Sequence, residues 1–342
     1  MKYKLLTDET IVHNGVTLYR IQSLSNFSDV KSGDKGGWIE KESNLSQYDN
    51  AWICEKAMVY GNAIVYDNAW IYDNAKVYGN AIICRDAKVY NDAEVYNAAI
   101  VVGNARVYGH AKIYDNARVY DDAEVFGNAI VFGNARVYGH AKVYINAKVY
   151  NNAKVYGNAQ VYGNARVYGH AEVYGNADVY RDAEVYGNAK IYDTAKVYGD
   201  TWIYGNAKVY NNAKVYGNAQ VYGNAKVYDK ARVFGNARVY DKARVYGNAQ
   251  VYRDAWIYDT AKVYGDTGIY DNAKIYGHAK IYDKARVYGT AEVYGGAWIY
   301  DKAWIYDKAR VFGNARVYND AEVYGNAEVH GNSEVSRITE IY

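Results

Sequence analysis

A six-residue phrase, most often Ala-Lys-Val-Tyr-Gly-Asn as at residues 153–158, recurs without a register slip from residue 51 to residue 336. So short a period excludes an ordinary globular core and demands an architecture in which each repeat is buried by its neighbours. The slot that starts at Ile53 and returns every sixth residue to Val335 holds Val or Ile at all 48 positions. Two residues earlier, Ala fills 45 of the 48, with Thr201, Thr267 and Ser333 as exceptions, and the slot after Val/Ile is Tyr 39 times. Small, variable, aliphatic and aromatic residues thus alternate with the period of a strand, Ala and Val/Ile on one side and the variable residue and Tyr on the other. Gly, Asp or Asn, usually followed by Asn, then breaks the strand, because these residues tolerate left-handed backbone angles. Each hexad therefore predicts one short strand and one corner.

An interior of Ala and Val is thin, which suits a triangular coil of three hexads. About 16 such coils of 18 residues, at ~4.8 Å per coil, predict a rod of roughly 75 Å. The expected division is a cap at 1–50, a parallel β-helix at 51–336 and a tail at 337–342, which folds over the last open edge. In the cap, Asn14-Gly15 between apolar-rich runs predicts a β-hairpin. The Gly-rich run Ser32 to Gly37 lacks a Gly-Lys-Ser/Thr ending, so it reads as a turn into the solenoid and not as a phosphate cradle.

The spacing aliphatic-x-x-x-small-x, as in Val155 to Gln160, resembles the hexapeptide repeat of left-handed parallel β-helices. The block from Asp29-Val30-Lys31 through Gly36-Gly37-Trp38-Ile39-Glu40 to Gln47 further resembles a group of uncharacterised bacterial and prophage hexapeptide-repeat proteins. The resemblance implies a left-handed coil, whereas parallel crossovers in general favour the right hand. Relatives with acyltransferase activity usually carry Gly after the aliphatic residue, where this chain carries Tyr.

Composition narrows the functional classes. The 342 residues include 43 Tyr and 31 Gly but no Pro, and 40 basic residues against 38 acidic give a net charge of +2, so any electrostatic partner must be selected by local charge. Cys54 and Cys84 are too few for a disulfide framework and stand in Tyr slots, so both are expected to be free, partly exposed thiols. The start of the chain is too short and charged for a secretory signal, and no run is long enough to span a membrane, which places the expected location in the cytoplasm. Aliphatic burial alone does not offset the entropy of ordering so many residues, so the Tyr columns are expected to be primarily structural.

Candidate chemistry is sparse. His110, His140, His170 and His278 replace Asn at corners and His330 replaces Tyr. The first three fall on different corners of the triangle, cannot converge on one substrate or metal, and no loop interrupts the repeat to enclose a pocket. No cofactor is implied.

The outward variable slots are more informative. On the face beginning at Ile64 they read Ile64, Ile82 and Ile100, with Tyr66, Cys84 and Val102 beside them: an apolar patch, expected to receive the N-terminal hairpin, or else a second subunit. The same face continues with Arg118, Arg136, Lys154, Glu172, Lys190, Lys208, Lys226, Arg244, Lys262, Lys280, Trp298 and Arg316. Ten of those twelve are basic and interleaved with Tyr, a pattern that suits a polyanion or single-stranded nucleic acid, although corner Asp residues flank it and a solvated face would look similar. The leading expectation is a non-enzymatic structural or interaction solenoid of bacterial or phage origin. A polyanion-binding module and a hexapeptide-type acyltransferase are the alternatives.

Overall fold

The computed structural model describes residues 1–336 and contains two compact units, Met1–Gly169 and a second that begins at His170. The tail expected at 337–342 lies outside the described residues.

In the first unit, β1 (Tyr3–His13) and β2 (Val16–Ser23) form the expected antiparallel hairpin, with Asn14 and Gly15 at φ of 49° and 79° in the turn. β3 (Lys35–Ile39) then pairs antiparallel with β2 and parallel with Met58–Val59, the first strand of one solenoid face. The hairpin therefore extends the sheet that starts at Met58 and does not cover the Ile64 patch: Ile64 remains 42% exposed. The cause is the register of Trp38-Ile39, which aligns with Met58-Val59 and draws the hairpin to that edge.

Beneath the cap, Tyr3, Leu18 and Ile21 are fully buried, and the Tyr3 hydroxyl lies within hydrogen-bond distance of the carbonyls of Glu42 and Leu45, its one proton shared between them. The inward aliphatic column begins earlier than Ile53. Ile39 sits beside Val59 and Leu45 beside Val65, both fully or almost fully buried. Gly36 and Gly37 are strand residues here and not a turn. A Cβ on either would meet a carbonyl oxygen of the first coil at 2.5 Å, so close backbone approach explains the pair.

From Trp52 onward, both units are built alike. Hexad strands pair in parallel with the strand 18 residues away, as Val209 does with Val227, and fall on three faces. Val/Ile and Ala are almost all completely buried, as alternation requires. Thr201 and Thr267 occupy the Ala slot because each hydroxyl donates to the carbonyl three residues back, at 2.8 and 2.5 Å.

The corners explain the Gly/Asp/Asn rule in more detail. The first corner residue has positive φ, for example 57° at Asp259 and 67° at Gly277. Where it is Asp, the carboxylate often also accepts the next coil's corner N–H, as Asp259 Oδ2 does from Gly277 N at 2.9 Å. Asp259→Ala should therefore cost about 1–3 kcal/mol, from the strained angle and the lost bond together. Asp259→Gly, which relieves the angle, should cost about 1 kcal/mol. Denaturant melts of the two variants check the order.

Candidate anion-binding face

The outward slots are governed by what lies one coil away. In the first unit, Glu94 stands between Lys76 and Lys112 at 3.8 and 3.4 Å, and Glu124 pairs with Lys142 at 3.6 Å. In the second unit, Asp178 pairs with Lys196, Glu292 with Lys274 and Glu328 with Arg310, at 3.2 to 3.4 Å. On these two faces, variable-slot acids thus neutralise adjacent cations.

The face that carries Lys190 departs from that rule. Glu172 pairs with Lys190 at 3.1 Å at one end, and Glu334 pairs with Arg316 at 3.2 Å at the other. Between them, Lys208, Lys226, Arg244, Lys262 and Lys280 follow one another in register on consecutive coils. Among the described residues, none of the five lies within salt-bridge distance of a carboxylate. Lys280 instead rests over the Trp298 ring at 4.2 Å, with the Arg316 guanidinium on the same indole at 5.3 Å. Cations on consecutive coils with no acid interposed concentrate positive charge that an anion would relieve.

Corner carboxylates flank the run and blunt it in part, since hydrogen bonds from neutral amides leave their charge in place. Asp229 accepts the Asn211 side-chain amide at 2.9 Å and the Gly247 backbone N–H at 3.2 Å, and Asp193 accepts the Asn211 N–H at 3.2 Å. They are engaged in holding corners together. In the first unit the stripe supplies only Arg118, Arg136 and Lys154, directly above the isoleucines.

The Tyr column beside the run is stacked upon itself. Rings from Tyr192 through Tyr210, Tyr228, Tyr246, Tyr264 and Tyr282 to Tyr300 lie 4.8 to 5.0 Å apart with planes within 6°. A nucleobase needs ~7 Å between two rings to insert. The interior rings offer only edges and hydroxyls, so base stacking on them is excluded and recognition on this face falls to the cations. Burial first, and stacked neighbours second, push Tyr192, Tyr228 and Tyr282 up to about 12.

The remaining candidates disperse. His110 and His140 lie 3.6 Å from Asp92 and Asp122 at separate corners, and His278 shares a 2.7 Å hydrogen bond with Thr260. Among the described residues no group of His, Cys, Asp and Glu is placed to hold a metal. Both cysteines are free, but Cys84 is buried, covered within the Ile82–Ile100 patch rather than partly exposed as expected. Burial pushes the Cys54 thiol up to about 12, which removes it as a nucleophile. Beside Cys84, Val102 also lacks a ring, so the Tyr column of this face is broken next to Ile64, Ile82 and Ile100.

Three parallel faces, an inward Val/Ile column and left-handed-region corners every sixth residue make this a hexapeptide-repeat-like β-helix protein. Separate coils match the family described as "YdcK Beta solenoid repeat", at residues 57–73, 159–175, 231–245, 243–259 and 309–325. A 51-residue stretch is 41% identical to the "Uncharacterized acetyltransferase YdcK" of Escherichia coli (strain K12). That alignment covers 15% of this chain and 16% of the relative's length.

Proposed function

We propose that this chain is a non-enzymatic interaction solenoid that holds a linear polyanion along Lys208, Lys226, Arg244, Lys262 and Lys280. One observation carries the reading: five consecutive coils display a cation with no acid opposite, whereas Glu94, Asp178 and Glu292 on other coils each pair with a neighbouring cation. The ~4.8 Å step suits a polymer with roughly one anionic group per 5 Å. Since the Tyr faces are occupied, affinity comes from counterion release and is insensitive to base identity.

The test is anisotropy titration of a labelled heparin oligosaccharide and a single-stranded oligonucleotide across a salt series. Five contacts predict a slope of log K against log salt of about −3.5. Reversal of Lys208, Lys226, Arg244 and Lys262 to Glu should remove most of that slope. No binding of either probe at low salt would sink the proposal.

Acetyl transfer is a second reading, favoured by the printed name of the E. coli relative across the shared 51 residues. It predicts that acetyl-CoA binds with measurable heat. The dispersed histidines and the inert Cys54 weigh against it.

A further inference from the structure

The ring column of the Trp52 face starts one rung late. Tyr72, Tyr90, Tyr108 and Phe126 stack at 4.8 Å, but the slot one coil before Tyr72 holds Cys54. Tyr72 therefore has a ring on one face and only a thiol-sized side chain below the other. Tyr72 and Cys54 line one end of an open groove of about 950 Å³ that runs over five coils from Asn50 to Asp122, past Trp70, with Ser28 and Asp29 beside that end. Those two residues are held in place: Phe27 and Val30 exchange backbone hydrogen bonds, and the Phe27 ring packs edge-on to buried Trp52 at 5.4 Å.

The geometry points to a binding site for a neutral saccharide, with one pyranose ring seated at the level of Cys54 against the uncovered face of Tyr72. Three features select this class. A pyranose ring presents an apolar C–H face that packs on an aromatic ring, and at the ~4.8 Å coil repeat it would continue the stack. The rim mixes acceptors and donors: Asp29, Glu55, Asp86 and Asp122 against Lys88 and Arg106, which is the complement of a polyol. Its excess of acids repels nucleotides and other anions. The groove is open and continues over five coils, which lets a short chain run on across the face. This site lies in the first unit, shares no residue with the cation run of the second, and does not depend on it.

The test is saturation-transfer NMR with cellotriose, maltotriose and chitotriose. Wild type should transfer saturation to the ring protons of at least one. Cys54→Tyr restores the majority residue of its slot and fills the vacancy, so it should weaken binding by about tenfold or more. Trp70→Ala should weaken it as well, with the tyrosine near-ultraviolet dichroism retained. The four-site charge-reversal variant should bind the saccharide as wild type does. Transfer to none of the three probes, or equal transfer in Cys54→Tyr and Trp70→Ala, overturns the assignment.

Discussion

Raising the pH from 10 to 12 should unfold this chain in one steep step, with tyrosinate absorbance and the loss of β-sheet dichroism coinciding. The cause is the ladder. Tyr240 is pushed up to about 12 by burial, then by Tyr222 and Tyr258, and Tyr282 by burial, then by Tyr264 and Tyr300. Tyr96 and Tyr192 behave alike, and Tyr78, Tyr108 and Tyr276 are raised further. A stacked tyrosine ionises beside another tyrosine, so each charge makes the next one harder to place.

The sign follows from proton counting. The unfolded chain ionises its tyrosines near the ordinary value of 10.0, while the folded chain keeps them protonated to higher pH. Between those values the folded state binds more protons, so stability falls as pH rises. Stability from the stacks is fully present below pH 10 and is lost as pH climbs through the folded values. Each tyrosine can contribute up to ~1.4 kcal/mol per pH unit, and partial exposure of the rings reduces this by solvent screening. The contributions all carry the same sign and repeat along the columns, so stability falls steeply across this window. Gradual tyrosinate absorbance with the dichroism unchanged to pH 12 would show that the rings titrate independently and that stacking adds little.

The solenoid was legible because its slots are invariant. Ala153 and Val155 can only face inward, and an 18-residue step places Lys208, Lys226 and Arg244 in one line, as found. The start of the coil was harder to read. Ile39 and Leu45 keep the six-residue step, but the next inward residue is Ile53, a slip of two that hides the join. Without that join, the sequence offers the hairpin no edge to extend and points it to the isoleucine patch. Side-chain direction is the other missing quantity. Spacing places Tyr228 outward but does not say that its ring lies flat on Tyr210 and Tyr246, which removes it as a base platform. Spacing likewise places Asp229 at a corner without revealing that its carboxylate holds Asn211 and Gly247. Cys54 was visible as a substitution in a Tyr slot. That Ser28 and Asp29 arrive from the cap to wall the groove beside it was not.

Val227→Asp should break the second unit where Asp at a corner is tolerated. Val227 is fully buried and sits in register between Val209 and Val245, in an interior of Val, Ile and Ala. A carboxylate there meets no donor, since the neighbouring amides are already used in the ladder. It must either remain charged or take up a proton, and the expected cost is about 3–5 kcal/mol. Because each coil is supported only by its neighbours, the damage should be local: coils beside Val227 should open first, and one melting transition should divide into two. Hydrogen exchange should rise around residues 209–245 and fall off with distance along the chain. Ala225→Thr is the control for polarity. Thr201 and Thr267 show that a hydroxyl in the Ala slot reaches the Tyr carbonyl three residues back, and Ala225 already directs its N–H to that oxygen of Tyr222. It should cost under about 1.5 kcal/mol, since the buried hydroxyl keeps a partner. If both variants melted alike, the inward Val column would not be what holds the coils in register.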